Sequence, residues 1–188
     1  MTAALYASGV PPVRPTRFEG DFNAPDELTS SLLRRLLADW TAWAGPGDLP
    51  PREAFDILRV DYIAGRLDLL DIVEAPSRYR YRVHGSVGVM VSGRDLTGHA
   101  IEAHGNPQHA RLLQTLLEET ETGRRGRALV GRLQDGQSRS YDWQVLALPL
   151  TGADGKIDSL LCAHDIFARP PGGLREPALQ LAGIEAAR

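Results

Sequence analysis

One cysteine, five histidines and a short row of arginines are the side chains of this chain with chemistry to offer. Cys162 is the single cysteine, so no intramolecular disulfide and no cysteine-based zinc cluster can form. Its neighbours Leu160, Leu161 and Ala163 put it in an apolar strand, where a buried, inert thiol is expected. The histidines are His84, His99, His104, His109 and His164, and none stands at the i, i+4 spacing that sets two metal ligands on one helical face. No metal site is expected. His109 falls beside Gln108 and Arg111 at the start of a helix, which predicts an exposed side chain. His164-Asp165 has the residue types of a base and its orienter, but neighbours on a strand point to opposite faces, so one should lie inward and the other outward. The chain has no G-x-S-x-G elbow, no P-loop and no G-x-G-x-x-G after a strand. No residue is therefore assigned to catalysis, and a non-enzymatic role is expected. Arg78, Arg80 and Arg82 alternate with Tyr79, Tyr81 and Val83. The arginines read as a solvated face paired with Asp68 and Glu74 across a hairpin, or as a docking surface for an acidic partner or an anionic ligand.

The elements that must position these groups follow from hydrophobic periodicity. Four prolines (Pro11, Pro12, Pro15 and Pro25) mark residues 1–25 as a flexible lead. Leu28, Leu32, Leu33, Leu36, Leu37, Trp40 and Trp43 recur at helical spacing, which predicts an amphipathic N-terminal helix over 26–47 that ends at Gly45, Pro46 and Gly47. A short, broken helical stretch follows from Pro50 to Gly65, and then a hairpin of two strands with its turn at Ala75 to Ser77. Between Gly85 and Gly105 the pattern suits short helices and turns. Asn106 and Pro107 open a better helix, the first as N-cap and the second in the first turn, with Leu112, Leu113, Leu116 and Leu117 on its buried side. Three strands with short turns come last, and short turns make them antiparallel neighbours. Residues 48–168 thus form an α+β domain with a five-stranded antiparallel sheet and helices inserted between its second and third strands, followed by a tail at 169–188.

Local strings agree with one family. Ala38-Asp39-Trp40, the stretch from Pro50 to Gly65, Tyr81-Arg82-Val83-His84-Gly85, Gly93-Arg94-Asp95-Leu96-Thr97-Gly98 and Leu148-Pro149-Leu150 stand in this order and spacing. On these anchors the chain resembles the bacterial family of stand-alone PAS-domain proteins, over about Leu36 to Phe167. The resemblance implies a PAS-like fold, a sensory or protein-contact role in signal transduction, and dimerisation through an N-terminal helix. It supplies no ligand. Flavin photosensing would need a reactive cysteine on a helix, which Cys162 is not, and a haem ligand at His109 would have to project into an apolar pocket. Haem, flavin and metal are therefore not expected as cofactors.

A pocket between the sheet and the inserted helices would be lined by Tyr81, Val83, Met90, Leu96, Leu113, Leu116, Trp143 and Val145, all of which could equally fill a solid core. An interaction face would use Leu32, Leu36, Trp40 and Trp43 of the first helix with Arg78, Arg80 and Arg82 of the hairpin. Two functions follow. One is a sensor that binds a small molecule or a signalling partner; the other is a dimerising adaptor with a filled core and no ligand. With 43% hydrophobic residues, a net charge of -3 and a pI near 5.9, the chain lacks the basic field of a nucleic-acid or membrane-surface binder. Without a secretory leader or an apolar span it is expected to be cytoplasmic.

Overall fold

The computed structural model describes residues 13–74 and 76–168. The proposed tail at 169–188 and the first dozen residues of the lead lie outside them. The strands of the sheet are β1 (Pro15–Asn23), β2 (Leu67–Ile72), β3 (Tyr79–Val83), β4 (Arg127–Asp135), β5 (Ser140–Thr151) and β6 (Ile157–Ala168). The helices are α1 (Ser31–Ala44), α2 (Ser86–Ser92) and α3 (Pro107–Gly123), with 3-10 segments at Pro25–Glu27, Arg52–Ala54, Ile57–Arg66 and Ile101–Ala103. The sheet runs β1-β4-β5-β6-β2-β3, and every pairing is antiparallel.

The expected α+β order holds from α1 to β6, with one strand more than the sequence predicts. Residues 15–23 are not a flexible lead: they form β1, paired along β4 from Pro15↔Asp135 to Asn23↔Ala128. Prolines misled the reading because Pro15 takes the first position of an edge strand, where its missing N–H is tolerated. Phe18 is what the strand delivers, fully buried in the core. The first helix is also shorter than expected. Pro25–Glu27 makes a separate turn, and α1 begins after the N-cap Ser30, whose Oγ accepts from the Leu33 amide at 3.2 Å.

Alternation along β5 and β6 sends two sets of side chains to two separate cores. Trp143, Val145 and Ala147 with Leu160, Cys162 and Ile166 face α2 and α3. Leu146, Leu148 and Leu150 with Leu161 and Ala163 face α1 and the 3-10 segment at Ile57–Arg66. The apolar stripe of α1 therefore docks on its own sheet. Leu33, Leu36 and Trp40 are buried there, and the Trp40 indole N–H donates to the Pro149 carbonyl at 2.9 Å. Asn106 caps α3 as expected, its side-chain oxygen accepting from Gln108 and His109 at 3.0 and 3.1 Å.

Two glycines matter to this layout. Gly85 has an ordinary negative φ; it is glycine because a Cβ would stand 2.5 Å from the Leu67 carbonyl. At Gly131 a Cβ would lie 2.1 Å from the Glu19 carbonyl and 2.6 Å from the Gly20 Cα, so β1 and β4 can lie together only without a side chain there. Gly131→Ala must push β1 outward, at a cost of about 1–3 kcal/mol for the overpacking. Urea unfolding should show that loss together with increased amide exchange in β1; an unchanged midpoint would contradict the close approach.

Candidate functional site

Four of the five histidines are buried, and all four enter the core on the α2 and α3 side. His84 arrives from the end of β3, His104 from the turn after Ile101–Ala103, His109 from the first turn of α3 and His164 from β6. His109 is not exposed, as its sequence neighbours suggest, but 1% accessible. It lies on the same helical stripe as Leu113, Leu116, Leu117 and Thr120, and β1 covers it: the Phe18 ring stacks on the imidazole at 4.3 Å with an angle of 4°. His104 packs edge-on against it at 4.5 Å, and Trp143 at 5.4 Å. His84 lies 6.3 Å from His104, and the Tyr81 ring closes that side at 4.6 Å from His84.

The hydrogen bonds fix two tautomers. The Leu96 amide donates to His84 Nδ1 at 3.0 Å, so a neutral His84 carries its proton on Nε2. The Trp143 indole can only donate, and it reaches His164 Nδ1 at 3.4 Å; His164 therefore donates through Nε2 to Asp68 at 2.8 Å. Asp68 also accepts from the Gly85 amide at 2.8 Å. Tyr81 Oη and His104 Nε2 lie 2.8 Å apart. Four ring nitrogens in this cluster have no hydrogen-bond partner among the described residues: His84 Nε2, His104 Nδ1 and both nitrogens of His109. Together they offer at least the His84 N–H, and one donor and one acceptor on a neutral His109.

Burial favours the neutral form of three of these imidazoles. Burial lowers the pKa of His84 against the opposing pull of Asp68. Burial, reinforced by His84, takes His104 down to about 4, and burial with His104 and His164 nearby holds His109 well below the usual range. Tyr81 and Cys162 are pushed up, first by burial and then by the Asp68 charge, so both stay protonated at neutral pH. Cys162 is buried on β6, as its neighbours predict. Among the described residues no group of three or more His, Cys, Asp or Glu stands in an arrangement that could hold a metal ion.

The predicted lining residues mostly converge here. Tyr81, Leu96, Leu113, Leu116, Trp143 and Val145 share one core, and Met90 packs against it. Val83 does not join them; it is 49% exposed beyond the end of the buried alternation. Two surface depressions, one along β1 and β4 beside Arg17, Arg132 and Ser140 and one at the end of α3 beside Glu118, Arg125 and Arg127, are lined by none of these residues.

The proposed interaction face is divided. Leu36 and Trp40 are consumed in the second core, while Leu32 and Trp43 are only partly covered. Arg80 and Arg82 are exposed, and the pairing partners differ from those expected. Arg82 bonds Asp71 at 2.8 Å, and Arg78 pairs with Glu121 of α3. Asp68 is unavailable to them because it is buried beneath the sheet with His164. His164 and Asp165 do point to opposite faces, but both are buried, since α1 covers the second face. Sequence reasoning missed Asp68, His84, His104, His109 and His164 as a group. The readable signals were a carboxylate inside the apolar run Leu67–Leu70, His164 in phase with Leu160 and Cys162, and the helical stripe under His109.

A family model described as PAS domain matches residues 28–164. No curated protein matches the chain. Solved structures that align with the chain include the Rhodobacter sphaeroides LOV protein (15% identity, TM-score 0.40, covering 56% of this chain and 61% of that one). The dark structure of the blue-light photoreceptor Aureochrome1 LOV aligns at 8% identity with a TM-score of 0.40, covering 59% of this chain and 82% of that one. An RNA-binding light-oxygen-voltage receptor aligns at 12% identity with a TM-score of 0.43, covering 80% of this chain and 39% of that one. No helix among the described residues is long and apolar enough to cross a membrane.

Proposed function

The chain belongs to the PAS domain family, and from that premise we propose that it is a sensory domain whose input is a small hydrogen-bonding molecule taken up by the buried imidazole cluster. The observation that carries this reading is the set of four unpartnered ring nitrogens on His84, His104 and His109. Buried polar atoms are almost always paired, and each one left without a partner costs about 1–3 kcal/mol. A ligand that accepts from His84 Nε2, and both donates to and accepts from His109, would recover that cost. Because the imidazoles of His84, His104 and His109 are neutral and the Asp68 carboxylate is engaged by His164 and Gly85, the matching ligand is uncharged, and Phe18, stacked on His109 and edge-on to Trp143, must give way to admit it.

The experiment is native mass spectrometry of the freshly purified chain, with thermal shifts across a panel of small uncharged heterocycles and amides. The reading expects a bound mass or a stabilising compound whose affinity falls at least about tenfold in His109→Phe, the loss expected when a buried hydrogen bond goes unmade. No bound mass and no shift across the panel, or equal binding by His109→Phe, would sink it.

A second reading, a dimerising adaptor without ligand, is favoured by the convergence of the predicted lining residues into one packed core and by Leu58, which is 81% exposed. It predicts a homodimer with Leu32 and Trp43 at its interface. Sedimentation showing a monomer at high concentration would remove its support.

A further inference from the structure

Two buried polar assemblies sit back to back on the sheet and share one dipeptide. On the cluster side, His164 donates to Asp68 and accepts from Trp143. On the other side, Asp165 accepts from the Ser30 hydroxyl at 2.6 Å and pairs with Arg66. Ser30 is the N-cap of α1. Beside it Gln144, directly opposite Asp165 on β5, accepts from the Thr29 and Ser30 amides at 3.1 and 3.0 Å and donates to the Thr29 hydroxyl at 2.5 Å. The start of α1 is thus held to the sheet by polar bonds. Its later turns are held by the apolar packing of Leu36 and Trp40. The segment that supplies Arg66 supplies Asp68 two residues on, so both buried pairs join β6 to the same short stretch.

We infer that this arrangement is the output latch of the cluster: a change in the bonds of His164 and Asp68 is transmitted through the 164–165 and 66–68 backbone to the N-terminus of α1. The input rests on the sensory reading above; the coupling does not. Side chains on adjacent strand residues point to opposite faces of one backbone, so a rotation of the strand that follows His164 swings Asp165 in the opposite sense. A buried carboxylate held by a 2.6 Å bond tolerates little displacement before it loses its donors and bears the desolvation cost. The first turn of α1 releases, while the Trp40 bond to Pro149 keeps the far end in place.

The test is amide hydrogen exchange on the intact chain without added ligand. Asp68 makes its hydrogen bonds to Gly85 and His164 and none to α1. Asp68→Asn should nevertheless speed exchange at Leu33 and Arg34 by about tenfold while the amides of Val145 and Leu146 keep their protection, the pattern of local rather than global opening. Asp165→Asn should give the same release, and the double variant no more than either alone. Unchanged exchange in α1, purely additive effects, or equal acceleration of β5 would each overturn the latch. If Asp68→Asn does not fold, Trp143→Phe, which removes the donor to His164, is judged by the same outcomes. A ligand panel that finds nothing leaves this coupling standing, and a bound ligand with no coupling defeats the latch alone.

Discussion

Between pH 7 and pH 5 the folded state should lose stability steeply, with His104 and His109 together taking up close to two protons on unfolding and His84 adding to them. His84, His104 and His109 are buried and held neutral, each with its pKa below the ordinary 6.5, His104 at about 4. In the unfolded chain these imidazoles titrate near their ordinary value. Below that value the unfolded state binds protons that the folded state refuses, so stability is full above about 6.5 and falls as the pH drops. Each histidine contributes about 1.4 kcal/mol per pH unit while its two states differ by one proton. The share of His104 stops growing near its folded value of about 4; that of His109 continues lower. The charged groups facing the cluster do not cancel this. Asp68 pulls His84 upward but is shared with His164 and Gly85, Asp95 stands 3.8 Å from His84 Nδ1 on the exposed side, and Arg94 lowers His104 further. Urea unfolding at half-unit intervals from pH 7.5 to 4.5 measures the slope. A flat profile between 7 and 5 would mean that the imidazoles are not buried and neutral.

Phe18→Ala should cost about 3–5 kcal/mol, the usual loss for deleting a fully buried aromatic ring. Phe18 has no exposed surface, stacks on His109 and meets Trp143 edge-on at 5.4 Å. Its loss removes the lid of the cluster as well as the anchor of β1, whose backbone is otherwise tied to α3 by the Phe18 amide to Gln108 at 3.3 Å and the Thr16 carbonyl to Asn106 at 3.3 Å. Phe22→Ala, at a partly buried position on the same strand, should cost clearly less. Equal and small effects from both would show that β1 is not part of the core.

Local pattern carried the order of elements because the decisive residues act locally. The period of two in Tyr79 and Tyr81, the cap at Asn106 and the leucine stripe of α3 each describe their own element. β1 escaped because its identity depends on a partner: Gly20 and Gly131 have meaning only when the two strands meet. The cluster escaped for the same reason on a larger scale. Asp68 and His164 are 96 residues apart, and the burial of His109 depends on Phe18, His104 and Trp143 packing against it. The strand rule for His164 and Asp165 held in direction, yet its corollary of one solvated side chain failed once α1 closed the second face.

Nitrogen-15 spectroscopy of the histidine side chains, recorded at pH 5.5 on uniformly labelled protein, bears most directly on whether a neutral imidazole cluster is the receptive heart of the molecule. His104 and His109 should appear as neutral rings, the neutral form of His84 should be protonated at Nε2 alone, and His109 should shift first when a binding compound is added. Imidazolium signals from His104 or His109, or a neutral His84 protonated at Nδ1 alone, would contradict the account.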